Sequence, residues 1–387
     1  VIGYLAGDTM TATANTVLIG TGAGAAINST DANYTVAVGH NALADLTSGQ
    51  ASTGIGYRAL ADVTTGDRNT AVGYAVLDGI TTGNDNVAVG WGAGGSTSNT
   101  TGTNNTFIGS SAGNQIINKN DNTFVGYRAG ATNRAGASST IIGSHAGYSP
   151  QGATYSGSNN LFAGYGAGLN TGGDNNVILG AYAGYYTTGS YNTFVGASAG
   201  QGGTTSAPFS SGQYNTALGY RALKNFQTGG DLIAIGQNAM FNVTTASNNM
   251  AIGALALYSI TTGGNTYDLA IGNYALQHYS SPATGNGQNT IVGHQAGKGS
   301  SGNTNGEFNT SLGYYTLNAL TTGGGNVVVG RYAGASITSG GSNVLVGRDA
   351  GDSITTRTGV IAIGLGAAGA ISTTGDYTIA IGHGAMG

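Results

Sequence analysis

Two segments have the spacing of a nucleophile elbow, in which a serine sits on a tight turn between a strand and a helix. They are Gly109-Ser110-Ser111-Ala112-Gly113 and Gly196-Ala197-Ser198-Ala199-Gly200. Two more, Gly90-Trp91-Gly92-Ala93-Gly94-Gly95 and Gly364-Leu365-Gly366-Ala367-Ala368-Gly369, match the GxGxxG turn of dinucleotide-binding folds. Both chemistries need a following helix, in the second case to hold a pyrophosphate at its N-terminus. No helical apolar pattern follows any of the four. In related segments the place of Ser111 and Ser198 is taken by Arg58, Arg128, Asn41 or His145, so a catalytic role is disfavoured. The histidines, His40, His145, His278, His294 and His383, are scattered, with no carboxylate or second histidine at ligand spacing. Asp67, Asp85, Asp174 and Asp376 fall in different turns, unlike the regular aspartate of a calcium-binding repeat. Glu307 is the one glutamate, so a glycosidase pair would have to be assembled from dispersed carboxylates at intersubunit sites. No enzymatic activity, cofactor or metal is expected.

These motifs belong to a repeat. An aliphatic residue followed by glycine recurs 22 times, at Gly3, Gly20, Gly39, Gly56, Gly73, Gly90 and onward to Gly382, and 11 of the 21 spacings are 17 residues. With the anchor glycine as position zero, position −1 is Ile, Val or Leu in every repeat but one, where it is Ala163, and −3 is mostly Thr or aliphatic. Position −2 points the other way and is also apolar in most repeats, so the strand is expected to be buried on both faces. Expected core residues are Val72, Phe107, Phe124, Phe162, Phe194 and Leu77. Position +3 is alanine in 20 repeats, the mark of a tight slot.

Positions −2 and +4 exchange volume. Eleven repeats pair a larger residue at −2 with glycine at +4, as in Phe107 with Gly113 and Phe124 with Gly130. Nine pair a small residue with Leu or Met, as in Ala71 with Leu77 and Ala234 with Met240. Close-packed interiors conserve summed volume, so the two positions should share one compartment, with the chain folding back at the anchor. The repeats at Gly90 and Gly364 break the rule, and each has a bulky residue after the anchor, Trp91 or Leu365. Asparagine recurs at −4, for example at Asn69, Asn86, Asn105 and Asn122, as an amide ladder between stacked coils requires. The reading is an all-β parallel β-roll or β-solenoid of about 22 coils, a single repetitive shaft over 1–387. At the strand spacing of about 4.8 Å it would be on the order of 100 Å long.

Composition supports this reading. Of 387 residues 73 are glycine, none is cysteine, and charged residues make up 7%, against roughly 25% in an ordinary globular domain. Hydrophobic content of 40% with few charges is the reverse of a disordered chain. A net charge of −4 provides no basic surface for nucleic acid, and no apolar run approaches the ~20 residues of a membrane span. Both strand faces are apolar while a 17-residue coil encloses little space, so one face needs a partner, and a homo-oligomer about a common axis supplies it.

Stretches such as NTAVGYAVLDGITTGNDNVAVG and NTALGYRAL resemble the head repeats of YadA-type trimeric autotransporter adhesins and the related repeats of phage tail fibres. The resemblance covers nearly the whole chain. It implies a left-handed parallel β-roll packed as a homotrimer, on the surface of a virion or a bacterial cell. Most repeats here are longer than the roughly fourteen residues of the adhesin type, through an added TTG-type turn. Because the chain opens and closes inside a repeat, further fibre segments are expected at both ends. A tail-attachment or chaperone segment there would mark a virus, and a membrane-anchoring barrel a cell.

The three longest spacings contain the three prolines, Pro150, Pro208 and Pro282, which cannot donate to a ladder. Longer surface loops are therefore expected near 144–160, 197–215 and 273–308. Their aromatic residues Tyr148, Tyr155, Phe209, Tyr214, Tyr274 and Tyr279 are the candidate contacts for a host-surface glycan or protein receptor. The expected function is the structural and adhesive shaft of an extracellular trimeric fibre. A different reading takes the threonine pairs Thr64-Thr65, Thr81-Thr82, Thr261-Thr262 and Thr321-Thr322 as an ice- or surface-binding array, and another a polysaccharide-degrading fibre.

Overall fold

All but the first of the 22 aliphatic-glycine repeats contribute one short strand, and within each of two units successive strands pair in parallel without a register slip. The computed structural model describes residues 1–10, 15–28, 32–95, 100–116, 118–132, 136–149, 157–203, 210–260, 266–280, 287–299, 306–370 and 376–386. It contains twenty-one strands of three residues and no helix among them. Contacts divide the chain into an N-terminal unit, Val1–Tyr191, and a C-terminal unit, Asn192–Gly387. The first runs from β1 (Val17–Ile19) to β10 (Val177–Leu179), with Ile2 adding a bridge to Ile19. The second runs from β11 (Thr193–Val195) to β21 (Ile379–Ile381). In both, position −2 of one coil sits beside position −2 of the next, as Phe107 beside Phe124 and Ala217 beside Ala234. The fold is a parallel β-solenoid.

The anchor glycines explain the sharp fold-back. Their φ values run from +123 to +147, outside what a side chain tolerates. A Cβ on Gly109 would lie 2.6 Å from the Gly126 carbonyl oxygen, and one on Gly219 would lie 2.8 Å from that of Gly236. The anchors therefore stack backbone on backbone.

Inside each unit the core is built from columns at −2, +3, +4 and +7. The −2 residue is buried in every strand, and so is the +3 alanine of most coils. The exchange between −2 and +4 is a direct contact. A Cβ on Gly168 would lie 2.7 Å from the Phe162 ring, and one on Gly147 would lie 2.7 Å from Ile141 Cδ1. Phe107, Phe124, Phe162, Phe194 and Leu77 are buried, and each stabilises by about 1.5–3 kcal/mol. At Gly90 the exception is resolved by the neighbouring coils. The Leu77 side chain and the Phe107 ring both converge on Gly94, so the space between Ala88 and Gly94 is filled from either side. Trp91 takes no part in this, being 59% exposed.

One expectation requires correction. Val72 is only half-buried, and the −1 and −3 residues of every strand are half-buried or exposed. Side chains alternate along a strand and a coil has a single interior, so one chain buries only the −2 side.

The −4 column forms the amide ladder. Asn86 Nδ2 donates to Asn69 Oδ1 at 3.0 Å and to the Gly102 carbonyl at 2.8 Å, and Asn105 Nδ2 donates to Asn86 Oδ1 at 3.0 Å. In the C-terminal unit Asn326 Nδ2 donates to Asn309 Oδ1 and Asn343 Nδ2 to Asn326 Oδ1, both at 2.9 Å. These buried amides satisfy one another and the turn carbonyls above them, which fixes coil register.

Candidate functional site

Two outer surfaces remain after the core is accounted for. The first is the outward strand face. Val17, Ile19, Val87, Val89, Ile108, Ile142 and Leu161 are each 38% or more exposed in the N-terminal unit. In the C-terminal unit, taken by itself, Leu218, Leu312, Val327, Ile363, Ile379 and Ile381 occupy the equivalent positions, each 39% or more exposed. With strands about 4.8 Å apart, an aliphatic −1 column and a −3 column divided between threonine and aliphatic residues, one unit lays down a largely apolar stripe on the order of 400 Å². That equals the largest patch of a typical monomer.

The second surface follows the anchor glycine, where +1 residues of successive coils stack. His40, Tyr57, Tyr74 and Trp91 form a ladder with ring centroids 5.4, 4.7 and 6.4 Å apart and planes within 15° of parallel. In the C-terminal unit His294 and Tyr314 stack at 5.4 Å. Elsewhere beside the anchors cations lie over rings, Arg221 4.8 Å from the centroid of Tyr220 at +1 and Arg331 4.9 Å from that of Tyr332 at +2.

The structure disperses the aromatic candidates. Tyr148 is half-buried, under the Arg128 guanidinium at 5.5 Å and edge-on to His145 at 5.6 Å. Burial and then the Arg128 charge push the His145 pKa down. Tyr214 is 56% exposed. Tyr274 is half-buried, with Lys298 Nζ over its ring at 5.6 Å and His294 against its edge at 6.0 Å. Tyr279 is fully buried and cannot present its ring to a receptor. It occupies +7, the column filled elsewhere by Leu46, Val63, Ile260 and Leu320, all buried, and burial holds its hydroxyl pKa far up. Tyr155, Phe209 and the three prolines lie outside the described residues.

The other motifs are repeat corners. Ser111 and Ser198 adopt φ of 56, as Arg58 and Arg128 do at 54 and 55. The first threonine of each described pair is committed internally: Thr64 Oγ1 donates to the Thr81 carbonyl at 3.1 Å and Thr321 Oγ1 to that of Thr338 at 2.9 Å. Thr261 and Thr262 lie outside the described residues. Among the described residues no three His, Asp or Glu side chains come together as metal ligands, and no helix is long and apolar enough to cross a membrane. The GxGxxG corner at Gly90, by contrast, opens a pocket beside Trp91 that the sequence pattern did not reveal. No protein-family model matches the chain, and no similarity to a curated protein is found.

Proposed function

We propose that the chain is the structural and adhesive shaft of a homotrimeric extracellular fibre, either a phage tail fibre or a bacterial surface adhesin. The observation that carries this is the outward strand face, whose −1 residue is aliphatic and half-buried or exposed in all ten strands of the N-terminal unit and all eleven of the C-terminal unit. An exposed stripe of that length is costly to hydrate, and the same stripe on other copies is the economical cover, since a closed symmetry leaves no stripe unpaired. The resemblance to YadA-type head repeats and tail-fibre repeats favours three copies and a surface location. Attachment to a host-surface glycan or protein falls to the outer turns, which carry the exposed aromatic residues.

Mass in solution tests the reading. A species of about three times 38.0 kDa is expected by light scattering at low micromolar concentration. A stable monomer would overturn the trimer, and with it the role given to the outward face.

A further inference from the structure

The GxGxxG corner at Gly90 is a notch with a chemistry of its own. The neighbouring coils carry side chains at +2 and +5: Ala75 and Asp78 on one side, Ser111 and Asn114 on the other. This coil has Gly92 and Gly95 instead, leaving a pocket of about 200 Å³. A Cβ on Gly92 would meet only Asn114 Nδ2, at 4.0 Å, so the space above it is open. Trp91 lines one wall, and Asn114 and Gln115 another. The Asp78 carboxylate leans over the floor, its Oδ1 3.4 Å from where a Gly95 Cβ would stand.

Trp91 also ends the aromatic ladder. Tyr74 stacks on it at 6.4 Å, and the next coil offers only Ser110 at +1. The indole is therefore left 59% exposed.

We propose that this notch binds one ring of a neutral hexopyranoside, with Trp91 as stacking platform and Asp78, Asn114 and Gln115 as hydrogen-bonding partners. A sugar ring has an apolar C–H face and a rim of hydroxyls, which suits one exposed indole beside a carboxylate and two primary amides. The volume is below the roughly 300 Å³ at which pockets for drug-sized ligands begin, so a single ring is the appropriate size. A cationic ligand is the poorer match. Arg58 Nε already stands 3.9 Å from Asp78 Oδ2 and partners its charge, which leaves Oδ1 to accept from a hydroxyl.

The chain carries an internal control. At the second GxGxxG corner Gly366 is equally open, and Asp352 Oδ1 lies 3.6 Å from a Gly369 Cβ, so the glycines and the carboxylate recur. Leu365 stands there in place of Trp91 and Gly387 at the place of Asn114, which removes the platform and the amide wall and keeps the glycines and the carboxylate.

Trp91 is the one tryptophan of the chain, so its emission, excited beyond the absorption of the 22 tyrosines, reports this site alone. The full chain is titrated with methyl glucoside, methyl galactoside, methyl mannoside, N-acetylglucosamine and choline chloride. A saturable shift with at least one of the sugars and none with choline is expected. Gly92→Tyr should abolish it with the reporter intact, because Tyr182 occupies the same +2 place at φ 56, close to the 59 of Gly92. Asp78→Asn should weaken binding about tenfold, the loss of one charge-assisted hydrogen bond. Trp91→Leu, copying the control corner, should erase sugar signals in saturation-transfer NMR, and it serves if Gly92→Tyr fails to fold. The proposal is overturned by no saturable response up to roughly 100 mM, beyond any specific affinity. It is overturned equally by a response to choline alone, or by a sugar response that survives Gly92→Tyr and Trp91→Leu. Failure here leaves the fibre reading intact, since that rests on solution mass.

Discussion

Asp268 is the one acid in the −4 column, and its replacement by asparagine should stabilise the C-terminal unit in a pH-dependent way. Its Oδ1 behaves as a ladder oxygen, accepting the Asn289 backbone N–H at 2.9 Å and Asn289 Nδ2 at 3.0 Å. Its Oδ2 stands where an asparagine would offer an NH₂ group, and it is buried without a partner among the described residues. Burial pushes the carboxyl up from 3.8 to about 6, against the hydrogen bonds from Asn289 and Thr266, with the Glu307 charge adding to the rise. A folded pKa above the unfolded one means that the folded state holds the proton more tightly. Stability from this group is therefore full below about pH 4, falls as pH rises from 3.8 to about 6, and stays low above that. The shift corresponds to about 3 kcal/mol at pH 7. Asp268→Asn restores the donor and removes the titration. Urea denaturation of both proteins from pH 4 to 7.5 should give a difference that grows with pH, the variant being more stable by about 3 kcal/mol at neutrality. The ¹³C signal of the Asp268 carboxyl should titrate near 6. A difference that is constant with pH, or larger at pH 4 than at pH 7, would refute the reasoning.

Gly130→Leu should destabilise by about 1–3 kcal/mol, because its Cβ enters the Phe124 ring, and adding Phe124→Ala should recover most of the loss in a thermal melt. Asn326→Ala removes two donated hydrogen bonds and orphans the Asn343 backbone N–H that Asn326 accepts at 3.1 Å. A loss of about 2–4 kcal/mol is expected, read as a lower denaturation midpoint. Val89→Lys with Ile108→Lys places charge on the outward strand face, and light scattering should show monomer while circular dichroism keeps its strand signal.

What was legible in the sequence was whatever repeats in one column. The anchor glycines, the pairing of Phe124 with Gly130 and the asparagine ladder are each set by contacts between equivalent positions, so the pattern is printed once per coil. Tyr279 was misplaced because the +7 column is fixed by distance from the anchor and its occupants vary from Ile27 to Phe226. Counting from the anchor glycine would have found it. Val72 looked like core because an aliphatic residue facing outward and one facing its own coil are chemically alike; the coordinates put the −1 side outward. The Trp91 notch escaped because it depends on two missing side chains, Gly92 and Gly95, between coils that retain theirs.

The contact between −2 and +4 also sets a grammar for how such a chain can change length. From Gly39 to Gly73 the coils use small residues at −2 with leucine at +4, and from Gly109 to Gly180 they use bulky residues at −2 with glycine. Duplicating or deleting a whole coil inside either block preserves every contact. Joining the blocks directly would drive a leucine such as Leu77 into a ring such as Phe107, and the small-small coil at Gly90 is the adaptor that keeps them apart. With the smaller Ile291, the coil at Gly272 passes straight to the one at Gly293, and a Gly297 Cβ would lie 3.1 Å from Leu276 and 3.4 Å from Ile291. Gain or loss of coils is thus free within a block and restricted where a leucine coil would be followed directly by a phenylalanine coil, so coil number can drift while that order is kept.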